Sequence, residues 1–116
     1  MPTVPYHIQS RPAEKKIDMR ITGTFTPEDY QNFIRDYHKI TSSIDASAFT
    51  LEVDCREMNL LRVHEIEKLK SAFVGYQETG FEKVVFIISE SQTIMRIQLA
   101  SAAREAGLIE HEIVTR

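Results

Sequence analysis

Tryptophan is absent, cysteine occurs once, and glycine and proline occur four times each in 116 residues. So little glycine and proline excludes collagen-like and low-complexity chains. The lone Cys55 forms no internal disulfide, and the first twenty residues lack the unbroken apolar core of a secretory signal. No apolar stretch nears the roughly 18 residues that a bilayer crossing requires. The expectation is a cytoplasmic protein with no integral membrane segment. A basic excess is missing too, because 14 Lys plus Arg face 17 Asp plus Glu, a net charge of −3. With no positive field to meet a phosphate backbone, nucleic acid is not an expected partner.

What is present is the composition of a globular domain, 42% apolar and 27% charged. A chain of this length buries roughly 60 to 70% of its unfolded surface, enough for one two-layer core, so residues 1–116 read as a single domain. Val4, Tyr6 and Ile8 alternate with polar neighbours, and Ile17, Met19 and Ile21 repeat that period of two beyond a charged interval. The pattern predicts two half-buried strands joined by a turn, the second ended by Gly23. Thr26-Pro27-Glu28-Asp29 then has the chemistry of a helix start: a side-chain cap, a proline whose missing N–H costs nothing, and acids facing the free donors of the first turn. Tyr30, Phe33, Ile34, Tyr37 and Ile44 supply its apolar stripe, with Ser42 and Ser43 closing it.

A third strand alternates from Phe49 to Cys55, with Thr50, Glu52 and Asp54 on the side open to water. A second helix is predicted between Val63 and Thr79, its inner face formed by Ile66, Leu69, Phe73 and Tyr76 and its end marked by Gly80. Gly75 sits inside this span and weakens its last turn. Lys83 to Ile88 has no alternation and reads as a strand buried near the centre of the sheet. Ser91 is the expected cap of a third helix carrying Ile94, Met95, Ile97, Leu99, Ala100, Ala102 and Ala103 and stopping at Gly107, and a short terminal strand is expected between Ile109 and Val114. Right-handed crossovers that advance in one direction across a sheet put all three helices on the same face and leave the other face polar.

In the Leu51-Glu52-Val53-Asp54 strand, the helix bearing Leu69, the Val84–Ile88 strand and the Ala102–Leu108 segment, the chain resembles the STAS domain of bacterial anti-sigma-factor antagonists. The resemblance spans Tyr6 to Leu108 in element order. It implies a two-layer STAS-like (SpoIIAA-like) α/β fold, with a four- to five-stranded mixed sheet and three helices mainly on one face. It also implies a regulatory, noncatalytic protein-interaction role in bacteria. Family members carry an Asp-Ser-Ser-Gly-like signature at the start of the second helix, where a partner kinase phosphorylates a serine. The corresponding stretch here is Leu61-Arg62-Val63-His64-Glu65, which has neither serine nor glycine. Asp54 corresponds to the acid at the strand end. The resemblance therefore implies a binder without the usual phosphorylation switch.

The residues themselves direct attention to the same loop, because ligand-facing loops of open α/β sheets lie beyond the carboxyl ends of the strands. Asp54, Glu57, Arg62, Val63, His64 and Glu65 form the candidate interaction loop. The leading expectation is a protein partner, with a homodimer as a third reading behind the alternative that follows. The alternative is a small ligand-binding or enzymatic domain that uses the acids after Cys55. Cys55 with His64 has the residue types of a nucleophile and its base, but Cys55 continues the apolar series Phe49, Leu51 and Val53 and reads as core. Asp54, Glu57, His64 and Glu67 carry metal-compatible atoms without a recognised ligand spacing, and neither a metal nor another cofactor is expected. Ser89 and Ser91 form a possible anion-facing helix cap. Tyr30, Phe33 and Tyr37 have the spacing of a packed helix face rather than a base-stacking track.

Overall fold

A computed structural model describes residues 5–22, 25–58 and 62–116. Strand β1 (Tyr6–Arg11) and strand β2 (Lys16–Ile21) form an antiparallel hairpin around a single 3-10 turn, Pro12–Glu14. Helix α1 (Pro27–Thr41), β3 (Thr50–Asp54), α2 (Val63–Thr79), β4 (Lys83–Ile88), α3 (Thr93–Ala106) and β5 (His111–Thr115) follow, with a second 3-10 turn at Ala46–Ala48. The sheet order is β1-β2-β3-β4-β5, with every pair after the hairpin parallel. Each crossover moves one strand onward in the same direction, so the right-handed rule stacks all three helices on one face. The result is a two-layer α/β fold with a five-stranded mixed sheet, STAS-like in its element order.

Local chemistry fixes the element ends. Thr26 Oγ1 accepts the Asp29 N–H at 3.1 Å, and Asp29 Oδ2 accepts the Thr26 N–H at 3.0 Å, a reciprocal box at the head of α1. Gly80 and Gly107 end α2 and α3 in the left-handed conformation, at φ +81 and +75. Helix α1 stops at Thr41 with Ser42 as its C-cap, so Ile44 lies beyond the helix whose stripe it was expected to extend. The serine- and threonine-rich end explains this: Thr41, Ser42 and Ser43 turn their hydroxyls onto preceding carbonyls and compete with continuation of the helix. Val4 and Gly23 lie outside the described residues.

The core fills the space between helices and sheet. Ile17, Met19, Leu51, Val53, Val84, Phe86 and Ile88 point from the strands toward Phe33, Tyr37, Phe73, Tyr76, Met95 and Leu99 of the helices. The rings of Phe73 and Phe86 meet at a tilt, with centroids 4.7 Å apart. On the opposite face, His7, Arg20, Asp54, Ile87 and Val114 form one row across the sheet, and Gln9, Asp18, Glu52, Val85 and Glu112 form the next. Val85 and Ile87 are buried although no helix covers them. Long paired side chains shield this face: Arg11 with Asp18, Lys16 and Arg116 with Glu52, and Lys83 with Glu112. Their alkyl stems cover apolar surface while the charged ends stay wet.

Candidate functional site

The candidate loop leaves the sheet at the end of β3, where the alternation of the strand separates Asp54 from Cys55. Asp54 turns to the open face and accepts three hydrogen bonds from Arg56: from the backbone N–H at 3.0 Å, from Nε at 3.0 Å and from Nη2 at 2.8 Å. These bonds hold its carboxyl below the ordinary carboxylate range. Cys55 turns inward and is 1% exposed; its N–H bonds to the Ile87 carbonyl at 2.8 Å. Burial, with Asp54 adding to it, pushes the thiol up to about 12, so it stays protonated at neutral pH and has no nucleophilic character. His64 is exposed on the second position of α2. The cysteine is core, as its alternation predicts.

Beyond Cys55 the loop is tied down by a residue that the sequence reading passed over. Gln92 Nε2 donates to the carbonyls of Cys55 and Met58, at 3.0 and 3.3 Å, while its Oε1 accepts the Ser89 N–H at 2.9 Å. One side-chain amide thus clasps the β4–α3 turn to the β3–α2 loop. The only sequence signal was a glutamine directly after the Ser-Glu-Ser turn. Gln92, not Ser91, is also the N-cap position of α3, and it makes no side-chain capping bond because its amide faces the loop. The expectation that Ser91 caps this helix is therefore corrected. Ser91 is exposed, with its hydroxyl 3.4 Å from that of Ser89.

Arg62, Val63, His64 and Glu65 come together at the head of α2. Glu65 Oε1 accepts the Arg62 N–H at 3.0 Å and steadies the first turn. Asp54 is drawn away from this group by Arg56, and Glu57 is exposed in the intervening turn. Asn59, Leu60 and Leu61 lie outside the described residues. Among the described residues no three His, Cys, Asp or Glu side chains converge as metal ligands, so Asp54, Glu57, His64 and Glu67 do not form one centre. Nor is any helix among them long and apolar enough to cross a membrane.

Large apolar side chains are exposed at this end of the molecule, as they are at Val74 and Ile109 elsewhere. Val63 at the first position of α2 is 80% exposed, and Ile94 and Ile97 in the opening turns of α3 are 55% and 63% exposed. Of the apolar residues that the third helix carries, Met95, Leu99, Ala102 and Ala103 are the buried ones. Neighbouring parallel strands β3 and β4 feed α2 and α3, which pack side by side with Lys70 bridging to Glu105 at 3.1 Å. The heads of both helices therefore lie together at the carboxyl edge of the sheet. Fold and surface define a two-layer α/β domain with exposed aliphatic side chains on the first turns of α2 and α3. Comparison with known protein families, curated proteins and solved structures finds no match.

Proposed function

We propose that this chain is a noncatalytic protein-interaction domain, a STAS-like regulatory or scaffold protein that binds its partner without a serine switch. The observation that carries this reading is the exposure of Val63, Ile94 and Ile97 beside the Arg62–Glu65 turn. Aliphatic side chains exposed on the first turns of two neighbouring helices, near the charged Arg62–Glu65 turn, suit a partner interface better than solvent. The stretch corresponding to the family's phosphorylation signature, Leu61 to Glu65, has no serine or threonine hydroxyl, so control by a kinase there is not part of the proposal. A cytoplasmic, bacterial setting belongs to the same reading.

The test compares the wild-type protein with a Val63→Asp, Ile97→Asp double variant. The exposed positions predict unchanged thermal melting and loss of most of the recovered partner when each protein captures complexes from native lysate. Equal recovery by the folded double variant would sink the proposal. So would turnover of a defined substrate at the Asp54–Glu65 loop. A concentration-dependent dimer in sedimentation, broken by the same substitutions, identifies a second copy of the chain as the occupant.

A further inference from the structure

Helix α2 packs along α3, whereas α1 is joined to β1 through the hydroxyl of Tyr6, which donates to Asp36 Oδ2 at 2.5 Å. Between α1 and α2 a cavity of about 110 Å³ opens at the carboxyl end of the sheet. Its walls are Ile21, Phe25, Phe33, Leu69, Ala72 and Tyr76. His64, Glu65 and Lys68, on the first turns of the same α2 face, supply the polar lining. Protein interiors are ordinarily filled to near-crystal density, so an apolar hollow forgoes contacts that one larger side chain at Ala72 would restore. The α2 wall stays thin a turn later as well. A Cβ on Gly75 would meet no atom within 4 Å, so no neighbouring contact requires glycine in the middle of that helix.

Charge at the lining selects among apolar guests. Glu65 already accepts the Arg62 N–H, whereas neither Lys68 nor His64 is held in an ion pair among the described residues. An unengaged ammonium beside an apolar hollow favours an anion with an apolar body, and an apolar hollow of this order accommodates a single ring. We infer that the α1–α2 cavity is a binding site for a small amphipathic carboxylate. Its ring or branched aliphatic body packs against Phe33, Leu69 and Ala72, and its carboxylate meets Lys68. This site borders the Arg62–Glu65 turn through His64 and Glu65, but its packing and charge contacts, Phe33, Leu69, Ala72 and Lys68, lie outside the residues on which the partner proposal rests, so the two are tested separately.

Phenylacetate and its neutral counterpart 2-phenylethanol are the probes, titrated into the full chain while amide and methyl NMR shifts are followed. Expected are saturable shifts at Leu69 and Ala72 with phenylacetate, and weaker ones with the alcohol. Lys68→Gln lies on the exposed surface and should weaken phenylacetate about 10-fold while leaving the alcohol unchanged. Ala72→Phe, its fold checked by circular dichroism, should remove both responses by filling the hollow. The inference is overturned if phenylacetate shifts no cavity residue, if the alcohol binds as tightly as the acid, or if Lys68→Gln leaves the acid's affinity intact.

Discussion

Asp54 and Cys55 are neighbours in the chain and opposites in chemistry, because one step along a strand reverses the side-chain direction. Cys55 is removed from water and loses its acidity. Asp54 keeps partial access to solvent and gains the fork of Arg56. That difference makes Asp54 a measurable contributor to the pH dependence of stability. Its folded-state pKa is depressed, so its contribution is fully present above the unfolded carboxylate value of about 4 and is lost as pH falls through the lower folded value. Urea unfolding of Asp54→Asn between acid and neutral pH should show the variant less stable than wild type at neutrality. The gap should close in acid. A gap that persists unchanged at the lowest pH would mean that the carboxylate charge is not what stabilises this turn.

At the scale of the element, the glycines separate two roles that composition cannot. Gly80 and Gly107 adopt φ values that L side chains reach only with strain, whereas Gly75 sits in regular helix with open space beside it. Chemical denaturation should therefore show Gly75→Ala stabilising by about 0.5–1 kcal/mol, through helix propensity and a less flexible unfolded chain. Gly80→Ala should destabilise by about 1 kcal/mol because it forces a Cβ into the left-handed region. Equal effects of the two substitutions would remove backbone conformation as the explanation. The helix starts were legible to different degrees. Thr26 announced α1 through its own side chain, while the start of α3 depends on Gln92 bonding to a loop 34 to 37 residues earlier in the chain, a pairing that no local pattern reveals.

Across the whole molecule, stability concentrates where helices meet sheet. Phe86 is fully buried in β4 and its ring packs against Phe73 of α2, so Phe86→Ala removes a buried ring and leaves a cavity. A loss of about 3–5 kcal/mol is expected in urea unfolding. The Lys83–Glu112 pair of the open face is half-exposed and screened by solvent, so neutralising Glu112 should barely move the same transition. A loss at Glu112 as large as that at Phe86 would show that the polar face, rather than the packed one, holds the sheet together.

The periods of the chain determined its architecture: alternation of two placed the strands, the helical stripe placed Phe33, Tyr37, Phe73 and Tyr76 inward, and three advancing crossovers put the helices on one face. These are local or topological rules, and they need no knowledge of distant contacts. Tertiary structure decided what periodicity leaves degenerate. Val85 and Ile87 belong to an unbroken apolar run, yet they lie on the face without helices under charged side chains from neighbouring strands. Ile94 and Ile97 are as apolar as Met95 and Leu99 but point outward, because the angle at which α3 meets the sheet selects the buried side. The cavity between α1 and α2 belongs to the same class. Its size depends on the separation of two helices that are distant in sequence, and only their packing sets that separation.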